Sequence, residues 1–190
     1  MNKKQFETIK NRFGKYSSFA IWKSDDCVYD ISFFDDDNVL KQINTKYVFI
    51  ALNPAEHPKN KQIRPFSNFH SDYSYQKDFK LCYALHNTKF WGSYITDLFK
   101  SFELTDSSEL TRELKKRPDD IEKDKNALRE ELSMFDKDVI LIALSRKTEK
   151  YLHRLFGNEY KIVYAIHYAS YSSKEEYKER LIRMLEDQNV

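Results

Sequence analysis

One uninterrupted apolar run, Tyr47-Val48-Phe49-Ile50-Ala51-Leu52, halted by Asn53-Pro54, most constrains what this chain can fold into. A strand with one wet face alternates polar and apolar residues. A continuous run has no wet face, so it must be covered on both sides. Similar runs recur at Asp138–Leu144 (DVILIAL) and Lys161–Ile166 (KIVYAI), and a further strand falls within Phe90–Lys100, ending near Asp97. Helical patterns separate them, and strands alternating with helices give a parallel sheet with a helical layer on each face. The expected fold is therefore α/β: a three-layer α/β/α sandwich around a mainly parallel, four-stranded sheet.

The intervening helices are read from apolar spacing near 3.6 residues. Residues 3–13 place Phe6, Ile9 and Phe13 on one side. Asp72–His86 offers Phe79, Tyr83 and Leu85, and Asp120–Phe135 offers Leu128, Leu132 and Phe135. Arg146–Phe156 has Ser145 as its N-cap and Gly157-Asn158 as its stop. Lys174–Leu185 closes the chain with Tyr177, Leu181 and Leu185 in register. Asp35–Asp37 reads as an acidic turn, residues 56–70 as a loop, and 101–118 as a polar lid or surface insertion. A chain of 190 residues suits one core. The expectation is one domain over 1–190, with 1–44 as a helical and irregular N-terminal extension packed on it.

Composition narrows the function classes. Lys and Arg total 32 against 30 Asp and Glu, so the charge permits a nucleic-acid partner without arguing for one. Cys27 and Cys82 lack metal-ligand spacing and are expected as free buried thiols of a reducing, cytoplasmic compartment. The opening MNKKQFETIKNRFGKY lacks the apolar stretch of a signal peptide, and no segment has the ~20 apolar residues of a membrane span. No ligand cluster and no Gly-rich phosphate loop occurs, so neither a metal nor an organic cofactor is expected. A monomer is expected.

The chemistry should sit where the strands end, as open α/β sheets bind ligands beyond their carboxyl edges. The candidates are Ala51-Leu52-Asn53-Pro54-Ala55 after the first apolar run, Asp97 after the second strand, and His167-Tyr168-Ala169-Ser170 after the last. Taken with Tyr94-Ile95-Thr96-Asp97-Leu98-Phe99-Lys100, these segments resemble, in order, the motifs of the uracil-DNA glycosylase superfamily. The first resembles Gly-x-Asn-Pro-Gly of its mismatch-specific and single-strand-selective branches. The second is similar to Tyr-Ile-Thr-Asn-x-x-Lys and the third to His-Pro-Ser. The resemblance covers roughly residues 45–187.

That resemblance implies a monofunctional DNA glycosylase acting on a base flipped out of single- or double-stranded DNA. Asn53 would position the attacking water, and His167 would donate to the base oxygen that gains charge. Ala51, Leu52, Pro54 and Ala55 would shape the base pocket. Phe66 or Phe69 would stack on the base, with Phe66 ahead. Tyr168, Ser170 and Tyr171 would contact DNA, and Tyr168 or Tyr171 would fill the gap the base leaves. Arg64, His57 and His70 would meet phosphate, and Glu56 is the carboxylate adjacent to Asn53.

Three departures shape the expectation further. Ala55 replaces the closing glycine, and Tyr168-Ala169 replaces Pro-Ser. Asp97 replaces the base-reading Asn. An amide offers a donor and an acceptor, whereas a carboxylate only accepts. Asp97 therefore disfavours plain uracil and favours donor-rich edges, such as guanine N1–H and N2–H₂ or a cytosine amino group. A damaged or modified base is the expected substrate. The alternatives are a catalytically inactive nucleic-acid-binding module, a free nucleoside hydrolase and a protein-interaction domain.

Overall fold

The structure, a computed structural model, describes residues 1–23, 29–56, 63–70 and 77–190. Among them five strands form one sheet: β1 (Ser17–Phe19), β2 (Asn44–Ala51), β3 (Ser93–Asp97), β4 (Ile140–Ala143) and β5 (Lys161–Tyr164). Their order is β1-β3-β2-β4-β5. β3, β2, β4 and β5 are mutually parallel, and β1 runs antiparallel to β3. The class is as the apolar runs predict, with one strand more. That strand, Ser17-Ser18-Phe19, is three residues long and mostly polar, so no apolar run announces it. Its buried hydroxyls are satisfied by backbone carbonyls, Ser17 Oγ donating to the nearby Phe13 O at 3.0 Å and Ser18 Oγ to the distant Phe66 O at 3.1 Å. Residues 1–44 thus contribute a strand to the sheet as well as packing on it.

Alternate residues of the doubly covered strands feed two separate cores. Val48 and Ile50 of β2, Tyr94 of β3, and Leu141 and Ala143 of β4 join one cluster. Phe49, Ala51, Ile95 and Ile142 join the other. The first face is covered by α1 (Lys3–Arg12), α3 (Ser107–Lys116), α4 (Pro118–Leu132) and α5 (Arg146–Phe156). The second is covered by α2 (Phe79–Leu85) and α6 (Lys174–Glu186). Three layers result. The chain runs from β2 to β3 on one side, then crosses back to β4 and β5 on the other. The topological reversal falls between β2 and β4, opening a crevice at their carboxyl ends.

Several helix ends follow the sequence. Ser145 caps α5 by accepting from Thr148 N–H at 2.9 Å, and Gly157 ends it with φ +57°. Three expectations are corrected. Residues 101–118 contain a helix, α3, whose Leu110 and Leu114 are buried while its other positions are mostly charged or polar. Of the helix expected over Asp72–His86, Phe79–Leu85 are helical among the described residues, and 72–76 lie outside them. Cys82 is disulfide-bonded rather than free; Cys27 lies outside the described residues.

At the far edge strand, β5, the backbone N–H and C=O of Tyr164 are both met by a side-chain amide. Gln188 Oε1 accepts from Tyr164 N–H at 2.9 Å and its Nε2 donates to Tyr164 O at 2.7 Å. A paired edge is a poor template for adventitious strand addition.

Gly92 ties the end of β1 to the starts of β2 and β3: its N–H donates to Ala20 O at 2.9 Å and its carbonyl accepts from Asn44 N–H at 3.0 Å. With φ +80°, an added Cβ would lie 1.8 Å from Gln42 O. Gly157 also has positive φ, but nothing lies within 4 Å of its Cβ position. Gly157→Ala should cost about 1 kcal/mol in urea unfolding, from the left-handed backbone alone, and Gly92→Ala clearly more, about 3 kcal/mol. Equal losses would contradict this account.

Candidate functional site

A cavity of about 390 Å³ opens at the carboxyl edge of the sheet. Asn53, Pro54 and Ala55 after β2, Asp97 at the end of β3, and His167, Tyr168 and Ala169 after β5 all line it. The three segments singled out in the sequence therefore meet. The turn after β2 is held by an extension of the β2–β3 pairing: Leu98 N–H donates to Ala51 O, Phe99 N–H to Leu52 O, and Leu104 N–H to Pro54 O.

Asn53 is the centre of that turn. Its Nδ2 lies 3.0 Å from Pro54 O, 3.0 Å from Phe102 O and 2.7 Å from Leu104 O. Three surrounding carbonyls fix which end of the amide is nitrogen. The NH₂ group ties the turn to the 102–104 segment, and Oδ1 is the end left to accept from a water or ligand.

Asp97 is 2% exposed. Burial pushes its carboxyl up to about 7, with the Lys100 ammonium and the Asn68 amide opposing and the Glu131 carboxylate reinforcing the shift. Asn68 Nδ2 donates to Asp97 Oδ2 at 2.9 Å. Lys100 is committed beneath the site: its Nζ lies 2.7 Å from Glu131 Oε1 and donates to Asp97 O at 2.6 Å. Glu131 Oε2 accepts from Tyr94 Oη at 2.7 Å and Thr96 Oγ1 at 2.9 Å.

His167 Nδ1 accepts from Ala169 N–H at 3.0 Å, and burial pushes its pKa down to about 4. At neutral pH the imidazole is uncharged and its proton sits on Nε2, which makes it a donor there. Its ring stacks on Tyr168, with centroids 4.3 Å apart. Tyr168 also meets Phe69 edge-on at 6.5 Å. Burial, reinforced by the charges of Asp78 and Asp97, holds the Tyr168 hydroxyl in its protonated form.

The placements correct several expectations. Phe69 lines the cavity and Phe66 does not. Phe66 is wholly buried among Phe6, Phe19 and Phe34, with ring centroids 5.4, 5.5 and 5.0 Å away. Apolar burial outcompetes a cavity position for this ring. Leu52 is half-buried against the first core rather than in the cavity wall, whereas Ala51 lines it. Tyr168 is a wall of the cavity, so Tyr171, fully exposed, is the protruding aromatic of its loop. Arg64 is an exposed side chain 3.5 Å from Asp35, and it does not line the cavity. His70 is buried, bonded through Nε2 to Phe19 O at 3.2 Å, which removes it from any phosphate role. Glu56 lines the cavity rim; His57 lies outside the described residues.

Sequence reasoning missed Asn68 and Asp78, both in the cavity wall, and Lys80 beside it. Asn68 stands between two phenylalanines whose polar neighbours look like ordinary loop, so it carried no local signal. Lys80 is 5% exposed, and its Nζ donates to Ser170 O at 2.9 Å and Ser172 O at 2.6 Å, strapping the Tyr171 loop to α2. A lysine inside an otherwise apolar helix turn (FKLCYAL) is the one hint the sequence held. Among the described residues no group of three or more His, Cys, Asp or Glu could hold a metal. No helix there is long and apolar enough to cross a membrane.

Asn53→Asp would place a carboxylate oxygen against three carbonyls in place of the amide that binds them. The variant should lose about 1–3 kcal/mol in urea unfolding. An unchanged midpoint would show that the amide does not hold the turn.

Compared with known proteins, the chain matches no family model, no curated protein and no solved structure, so the chemistry of this cavity rests on its own residues.

Proposed function

We propose that this protein is a DNA glycosylase that hydrolyses the N-glycosidic bond of a flipped, damaged or modified base. The observation that carries the reading is the convergence of Asn53, Asp97 and His167, from three separate strand ends, on one cavity. Cavities at a sheet's topological switch point are the usual ligand sites of this architecture.

Each residue has work suited to such a reaction. The C–N bond breaks with its electron pair leaving on the base, the water oxygen bonds to the sugar carbon, and the water's proton passes by way of solvent to the departed base. His167 Nε2–H donates to a base oxygen as it gains charge, and does so as a neutral imidazole. Asn53 Oδ1 accepts from the attacking water. Phe69 supplies an apolar face for the base. Tyr171 stands at the tip of a loop fixed by Lys80 and is free to occupy the space a flipped base vacates. Lys77 and Lys174 border the same loop and can meet phosphate.

A second reading, a catalytically inactive nucleic-acid-binding module, is favoured by the departures at Ala55, Tyr168 and Ala169, all three of which line the cavity. Base release from labelled single- and double-stranded oligonucleotides separates the two. The panel holds uracil, thymine mismatches, deaminated purines, alkylated bases and modified cytosines. Release from one substrate, lowered about 10²–10³-fold by His167→Ala, is expected. DNA binding without release from any substrate would favour the binding module.

A further inference from the structure

We propose that Asn68 and Asp97 form one base-reading pair with two states: an acceptor-only state that selects bases bearing an exocyclic amino group, and a donor–acceptor state that selects lactam bases such as uracil. The inference rests on the base-binding reading of the cavity and deepens it by naming the substrate class and the residue that sets it.

The geometry gives each atom of the pair a role. Asn68 Nδ2 donates to Asp97 Oδ2 at 2.9 Å, so the Asn68 carbonyl oxygen is turned away from the carboxyl. Both residues line the cavity. Asp97 Oδ1 has no hydrogen bond among the described residues, although the side chain is 2% exposed. An oxygen of a largely buried carboxyl that has no protein donor and sits on a cavity wall is free to accept from a ligand. With Asp97 ionised, the pair shows the cavity two acceptors, Asp97 Oδ1 and Asn68 Oδ1. These suit a cytosine-type amino group or the adjacent N–H groups of guanine. They repel a uracil carbonyl.

Protonation changes what is read. Oδ2 is occupied by the Asn68 amide, so the proton resides on Oδ1. The pair then offers one donor and one acceptor, the same complement as a single carboxamide, and matches a lactam C=O and N–H. The groups facing Asp97 come from every neighbouring element: Lys100 on the following turn, Glu131 on α4, Asp78 before α2, and Tyr168 and neutral His167 after β5. Burial is the largest influence and sets the carboxyl to about 7, so both states are populated near neutrality. The sign is fixed: the acceptor-only state fills above that value and the donor–acceptor state below it.

The test uses matched oligonucleotides differing only at the read edge: a 5-substituted cytosine against the same 5-substituted uracil, and N7-methylguanine against N7-methylhypoxanthine. Binding and base release are measured separately, at about pH 8.5 and about pH 5.5, either side of the Asp97 transition. At the higher pH the wild type should bind the amino member of at least one pair about tenfold more tightly, and that preference should shrink or invert at the lower pH. Asp97→Asn, nearly isosteric, should prefer the lactam member at both pH values, and Asn68→Ala should flatten the discrimination. Thermal unfolding of each variant verifies that it is folded. A wild type that favours the lactam member at high pH, an Asp97→Asn variant that keeps the amino preference, or no binding to any member would overturn the proposal. Amino-selective binding without release would uphold the pair while removing the glycosylase reading. Release confined to the lactam member at the higher pH as well as the lower would do the reverse.

Discussion

The end of β3 is held by an ion pair that water barely reaches. Lys100 is 6% exposed, Glu131 is fully buried, and their charged atoms lie 2.7 Å apart. Such a pair gains little over an apolar substitute, but losing one partner strands a buried charge, at about 3–5 kcal/mol. Its value here is positional. Glu131 gathers the Tyr94 and Thr96 hydroxyls from β3, while Lys100 donates to the Asp97 carbonyl. α4, β3 and the cavity floor are thereby fixed to one another through directional bonds that apolar packing cannot supply. The same two charges act on Asp97 in opposite senses, Lys100 lowering and Glu131 raising its pKa. With the Lys100 charge so committed, burial decides the protonation of the residue above it.

The sequence was most legible where one physical rule acts alone. β2 and β4 were visible because burial on both faces demands unbroken apolar runs, and β5, an edge strand with only Val163 buried, still carries the apolar stretch Ile162-Val163-Tyr164. The caps at Ser145 and Gly157 were visible because few residues do that work. β1 was invisible because two of its three residues are serines whose hydroxyls bond to Phe13 and Phe66, partners no local pattern reveals. α3 was hidden because a helix pressed on a core by Leu110 and Leu114 looks polar when read along the chain.

The site was half legible for a similar reason. Asn53, Asp97 and His167 each follow a recognisable strand, so position alone marked them. Phe66 and Phe69 share one short loop and an identical φ of +66°, yet one enters the first core and the other the cavity wall. Composition and spacing cannot divide them. The Phe66 N–H to Gly14 O bond at 2.7 Å, a long-range tie to the end of α1, does. Asn68, set between them, inherits its place in the cavity from that same loop.

On the base-release reading, the electrostatics favour one partner of the breaking bond. The departing base gains negative charge and the sugar gains positive charge. His167 is neutral, so it can polarise a base oxygen but brings no full positive charge to the base. Asp97, when ionised, faces the same space with negative charge and favours the sugar's developing cation. A cavity so arranged stabilises charge on the sugar more than on the base. It therefore suits bases whose own chemistry already makes them good leaving groups, and it suits poorly a neutral lactam that must depart as an anion beside a carboxylate. On that reading, the carboxylate of Asp97 and the neutral imidazole of His167 point the same way, toward a substrate that supplies part of the driving force itself.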